Sequence, residues 1–135
     1  MSEWVVDILS NKVDLIHGHQ FRDNDFVEDG FPVIKIGQLS MNGDIDLSNC
    51  SFVSRNVFET FKEYCICEGD ILMALTGATL GKTIRVTKNY GVIFQNYRVG
   101  KFQPNDSTIN KEFLYYMLTS DNIQREMLLK INSAA

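Results

Sequence analysis

Residues 68–86 read Glu68-Gly-Asp-Ile-Leu-Met-Ala-Leu-Thr-Gly-Ala-Thr-Leu-Gly-Lys-Thr-Ile-Arg-Val86, and two readings of this stretch lead to different folds. The first is a nucleotide-binding P-loop. That motif needs Gly, four residues, then Gly-Lys-Ser/Thr, so that backbone N–H groups wrap the phosphates while the Lys reaches their outer oxygens. Counting back from Gly81-Lys82-Thr83, the first Gly must fall on Thr76, and Gly77 is one residue too close. A P-loop also opens a helix whose N-terminus faces the phosphates. Here the continuation is Thr83-Ile-Arg-Val-Thr87, then Lys88-Asn-Tyr-Gly91, then Val92-Ile-Phe94. β-Branched and aromatic residues around an Asn/Gly turn read as strand, turn, strand, so we set the P-loop aside.

Outward from this core, Glu68-Gly69-Asp70 is a turn that launches the apolar run Ile71-Leu-Met-Ala-Leu75, suited to a central strand. Upstream, Val13-Asp-Leu-Ile16 leads to a turn at His17-Gly18-His19, followed by a polar, acidic loop over residues 22–30. Pro32-Val-Ile-Lys-Ile-Gly37 reads as a buried strand broken only by Lys35. Asn42-Gly43 favours a tight hairpin connection. Ser54 is a candidate N-cap for a short helix with Val57, Phe58 and Phe61 on one face. From Asn110 the pattern turns helical. Phe113, Leu114, Met117 and Leu118 form one stripe, Thr119-Ser-Asp-Asn122 breaks it, and Ile123, Met127, Leu128 and Ile131 form the next. Such stripes are assigned to packing.

At 135 residues and 44% hydrophobic, the chain has the material for one core. We expect an α+β fold: a single globular domain with a twisted, mainly antiparallel sheet core, a short inserted helix and C-terminal helices. Its strand-rich part covers about residues 4–104 and its helical part about 110–131. No run approaches a membrane span, and the N-terminus lacks the basic and apolar regions of a secretory signal. Cys50, Cys65 and Cys67 lack Cys-x-x-Cys spacing, and read as buried reduced thiols of a cytoplasmic protein.

The net charge of −4 argues against a nucleic-acid partner, but its distribution argues for one. Residues 71–105 hold five bases, Lys82, Arg85, Lys88, Arg98 and Lys101, and no acid; the other eight bases stand against all seventeen acids, a net −9. A basic hairpin region in an acidic body presents a local positive face to phosphates. The alternative is a run of merely solvated cations.

Catalytic signatures are absent: no nucleophile with its base, carboxylate pair or metal cluster has recognisable spacing. His17 and His19 fall on one side of an extended segment, but no motif places a Cys or carboxylate near them to complete a zinc site. Asp44 and Asp46 lie at a turn without the Asp-rich loop of a calcium site.

Four blocks, together spanning nearly the whole length, carry a resemblance. They are Phe31-Pro-Val-Ile-Lys-Ile-Gly37 with the turn after it; Glu68 to Lys82, with Gly-Asp-Ile-Leu followed by Thr-Gly-Ala-Thr-x-Gly-Lys; Phe94-Gln-Asn-Tyr-Arg-Val99; and Asn110-Lys-Glu-Phe-Leu-Tyr-Tyr-Met-Leu118. The chain resembles a target recognition domain of the specificity subunit of type I restriction-modification enzymes. The closing Ser133-Ala-Ala135 is similar to the start of the loop that precedes that family's conserved spacer helix, so the chain reads as ending before it, as an excised domain or a natural truncation.

The resemblance implies a non-catalytic reader of double-stranded DNA that recognises one half of a split site. Its partners would be methyltransferase subunits, which use S-adenosylmethionine, and restriction subunits, which translocate and cleave DNA with ATP; neither cofactor binds this domain. The alternative is a protein-interaction module that docks on a methyltransferase with little DNA binding of its own. For DNA, the candidate phosphate contacts are Lys82, Arg85, Lys88, Arg98 and Lys101. Gln95, Asn96 and Tyr97 are candidates for contact near base edges, since side-chain amides bond adenine bidentately. They belong to a shared family block, however, and so read more readily as scaffold. The residues that choose the sequence are then expected in the idiosyncratic loops, such as residues 17–30 or 88–90.

Overall fold

A computed structural model describes residues 11–134, apart from the side chains at 127, 128 and 130–134. The expected strand-rich start at Trp4 and the closing Ala135 lie outside the described residues, as do the side chains of the stripe positions Met127, Leu128 and Ile131. In chain order the strands are β1 (Val13–His17), β2 (Phe26–Val27), β3 (Phe31–Ile34), β4 (Ser51–Val53), β5 (Ile71–Ala74), β6 (Thr83–Arg85), β7 (Phe94–Gln95) and β8 (Val99–Pro104). The helices are α1 (Phe58–Phe61), α2 (Lys111–Thr119) and α3 (Asp121–Ala134). The strands form two four-stranded sheets, ordered β1-β8-β5-β6 and β2-β4-β3-β7. All pairings are antiparallel except β3 with β7. The α+β class holds, with two sheets where one had been expected.

β5 shows why the chain folds in layers. Successive strand side chains point to opposite faces. Ile71 and Met73 pack with Leu114, Met117, Leu118 and Ile123 of the C-terminal helices, while Leu72 packs with Ile34, Leu39, Ile84 and Ile93 on the other side. Both faces are covered, so the strand is apolar at every position. A third cluster, built on Phe21, Val33, Val53 and Phe94, takes in Val57, Phe58 and Phe61 around α1. The Ser54 hydroxyl accepts the Asn56 N–H at 3.2 Å and so caps a 3-10 turn, Arg55–Val57, that leads directly into α1.

Three expectations need correction. The basic hairpin does not form, because β6 pairs with β5 in the first sheet and β7 pairs with β3 in the second. Phe113 does not share the buried stripe: it is 44% exposed, on the flank of α2, while Leu114, Met117 and Leu118 are buried. Cys67 is exposed rather than buried, and Cys50 and Cys65 are half-buried. Burial is the main cause that raises the thiol pKa of both Cys50 and Cys65, with Asp46 adding to it for the first and Cys67 for the second.

Asn110 caps α2 as its side chain predicts, its Oδ1 accepting the N–H groups of Glu112 at 2.7 Å and Phe113 at 3.2 Å. Asn110→Ala leaves both donors to water and is expected to cost about 1 kcal/mol, read as a lower urea midpoint at unchanged slope.

Candidate nucleic-acid interface

Residues 68–86 hold the β5–β6 hairpin, and its backbone closes on itself. Gly77 and Gly81 adopt φ of 82° and 89°, the left-handed region that glycine enters freely. The N–H groups of Leu75, Leu80, Gly81 and Lys82 donate to the carbonyls of Arg98, Gly77, Ala74 and Thr79. They are therefore not free to wrap a phosphate. The Lys82 ammonium is also engaged, donating to the Leu39 carbonyl.

This loop end of the first sheet meets a tight turn. After β7, Asn96 accepts the Val99 N–H at 2.9 Å through its carbonyl, and its side-chain oxygen accepts the Arg98 N–H at 3.1 Å. A short polar side chain at the first position of a turn makes this bond locally. Tyr97 and Arg98 thus occupy the centre of the turn, half-buried and exposed respectively. The Arg98 Nε–H donates to the Tyr97 hydroxyl at 2.8 Å, and the guanidinium lies 5.2 Å from the Tyr97 ring centre. Both side chains line a cleft of about 300 Å³. Phe21, Phe26 and Ile36 give it apolar walls, and Lys35 and Asp23 add charge of both signs. Lys35 is exposed, with its ammonium 5.4 Å from the Phe26 ring centre, a cation on an aromatic face.

The candidate residues therefore separate. Arg98 and Tyr97 come together at the cleft. Arg85 lies level with Ile71 at the opposite end of β5, about 13 Å away by four residues of strand rise, and beside Glu68; Lys88 follows past that end, over the Tyr90 ring at 5.2 Å. Lys101 is corrected from phosphate contact to core: 6% exposed, it donates to the Cys65 carbonyl at 2.6 Å and pairs with Asp70 at 3.5 Å. Gln95 is withdrawn as well, being fully buried with its Nε2 donating to the carbonyls of Ile16 at 2.7 Å and Val99 at 2.6 Å. Asn96, 7% exposed, holds the turn. Lys35 was missed as a site residue, although a lone charge inside an apolar run was its signal.

The ring centre of His19 lies 4.3 Å from that of Phe61, and the His19 backbone N–H donates to the Gln95 carbonyl at 3.1 Å, while His17 is exposed at the end of β1. Asp46 accepts from the Ser48 hydroxyl at 2.6 Å and the Ser48 N–H at 2.9 Å, which holds its carboxyl below the ordinary value, the hydroxyl bond first. Among the described residues no three His, Cys, Asp or Glu side chains assemble as metal ligands, and no helix is long and apolar enough to cross a membrane.

Together these features define a small α+β domain whose charged, aromatic-walled cleft sits where the two sheets meet. The family model for the type I restriction modification DNA specificity domain matches residues 1–134. The MjaVIII specificity subunit of Methanocaldococcus jannaschii, a type I restriction enzyme component, is 28% identical over 130 residues, covering 93% of this chain and 30% of that subunit. The HsdS subunit of Thermoanaerobacter tengcongensis superposes with a TM-score of 0.54 at 14% identity over 84% of this chain and 29% of that one. The type I restriction-modification S subunit of M. genitalium gives 0.50 at 18% identity, over 96% of this chain and 32% of that one. The chain belongs to the type I restriction modification DNA specificity domain family, a family non-catalytic in general. It spans about a third of the length of these relatives.

Proposed function

We propose that this chain reads one half of a bipartite double-stranded DNA site as the specificity component of a type I restriction-modification assembly. In that role the cleft between Arg98 and Lys35 faces the DNA, and the domain carries out no catalysis. Methyltransferase and restriction subunits would supply the chemistry. The observation that carries the reading is the state of the cations. Arg98 and Lys35 are exposed at one cleft, and neither pairs with a carboxylate among the described residues. Lys82 and Lys101 are engaged by the chain's own carbonyls. A phosphate offers Arg98 the bidentate partner that its fork of donors fits, and Tyr97 holds that fork in place.

Salt-titrated binding to duplex DNA of mixed sequence tests this. Cation contacts release counterions, so affinity falls as salt rises, by close to one unit of log–log slope per phosphate contacted. Arg98→Ala is expected to weaken binding about tenfold across all sequences and to reduce that slope by about one. Lys88→Ala, at the far end of the sheet, is expected to change neither. Equal losses from the two variants would remove the cleft from the DNA interface.

A further inference from the structure

Sequence reading left two idiosyncratic loops open as the site of base selection, and only one of them reaches the cleft. The Asp23–Asp25 turn contributes Asp23 to the cleft lining beside Lys35 and Arg98. The Tyr90 hydroxyl instead accepts the Ile45 N–H at 2.8 Å, which ties the 88–90 loop to a different part of the molecule. Asp25 is occupied locally, its Oδ2 accepting the Arg22 N–H at 2.7 Å. The Asp23 carboxylate takes no hydrogen bond or ion pair among the described residues.

An unpaired carboxylate at a phosphate-binding cleft repels the DNA backbone unless the groove gives it a hydrogen-bond donor. Base edges in the major groove that donate are the amino groups of cytosine and adenine. The neighbouring cations separate these two. A G·C pair presents two acceptors on guanine and then the cytosine amino donor, and a basic side chain next to a carboxylate complements that order. An A·T pair places its donor between acceptors and adds a thymine methyl, which leaves a carboxylate with a poorer match.

We infer that Asp23 is a specificity-determining residue that selects a G·C pair within the recognised half-site, accepting from the cytosine amino group while Lys35 donates to the paired guanine. This rests on the reading of the cleft as the DNA face. Asp23 is exposed at a surface turn, so its replacement leaves the core intact.

The test is selection of bound duplexes from a pool with randomised sequence, at low ionic strength, using the whole chain and its Asp23→Ala and Asp23→Asn variants. The wild type is expected to enrich G·C at one position by about tenfold. Asp23→Ala is expected to lose that enrichment at that position alone. Asp23→Asn is expected to move the preference toward A·T, because a side-chain amide bonds adenine bidentately. If all three proteins bind with the same salt dependence and enrich the same sequences, the role of Asp23 is overturned while the DNA-facing cleft stands. If none binds duplex at any salt concentration, the DNA reading falls and the role of Asp23 falls with it.

Discussion

Asp70→Ala is expected to destabilise the domain by about 3–5 kcal/mol, the range for removing one partner of a buried ion pair. Asp70 sits at the start of β5, 7% exposed. Its Oδ2 accepts the Cys67 N–H at 2.7 Å and faces the Lys101 ammonium at 3.5 Å, and its Oδ1 faces Lys111 at 3.5 Å. The alanine variant leaves the Lys101 charge beneath the sheet with only the Cys65 carbonyl as partner. The loss comes from that stranded charge more than from the attraction removed. Two controls separate these effects. Lys111→Ala is expected to cost under about 1 kcal/mol, since the Lys111 side chain is 42% exposed and water screens its pair. Adding Lys101→Met to Asp70→Ala is expected to recover much of the loss, because an apolar side chain of similar volume needs no counter-charge. Urea denaturation of the single and double variants measures this. A cost below about 1 kcal/mol for Asp70→Ala would show that Lys101 finds solvent without its partner.

The same pair shows what could be read from the chain. Ile71-Leu-Met-Ala74 announced a strand buried on both faces, and Gly77 and Gly81 announced a hairpin loop instead of a phosphate cradle, because both depend on local backbone and periodicity. Asn110 caps the helix assigned to it and Ser54 caps the 3-10 turn that leads into α1, for the same reason. Pairing over long separations could not be read. Residues 83–94 look like a hairpin from turn chemistry, but β6 turns back on β5 in the first sheet, while β7 joins β3, 61 positions upstream, in the second. Charge carried even less information about place. Lys101 and Arg98 stand three residues apart in one basic stretch, yet β8 buries the first while the turn before it exposes the second. Strand alternation does not explain the burial, since Val99, Gly100, Lys101 and Phe102 are all buried. What does explain it is Asp70, a carboxylate thirty-one positions away in sequence. Asp23 and Lys35 join the cleft in the same way, through the packing of the 3-10 turns that flank β2 and β3, beyond the reach of any local motif.

Gly18→Ala is the second large effect expected, about 3 kcal/mol, and it couples stability to the binding cleft. Gly18 follows β1 and crosses the corner between β7 and β8 so closely that a Cβ would stand 2.1 Å from the Asn96 carbonyl oxygen and 2.4 Å from that of Gln95. Both obstacles are backbone, so no rotamer change relieves them. Making room means parting β1 from the corner, which strains the His19 to Gln95 bond and the Gln95 side-chain bond to Ile16. The turn that carries Tyr97 and Arg98 moves with Asn96. A surviving Gly18→Ala protein is therefore expected to lose DNA affinity as well as stability. Two other glycines make the cause testable with the same methyl group. At Gly100 the nearest atoms are the ends of Leu15 and Leu75, at 2.8 Å and 3.0 Å, which can turn aside, so a cost of about 1 kcal/mol is expected. At Gly37 nothing lies within 4 Å, and alanine there is expected to be neutral or to stabilise by about 0.5 kcal/mol through the entropy removed from the unfolded chain. Thermal or urea denaturation of the three variants should rank them in that order. If Gly18→Ala proved no worse than Gly100→Ala, the corner would have room to give, and β1 would not hold the turn in place.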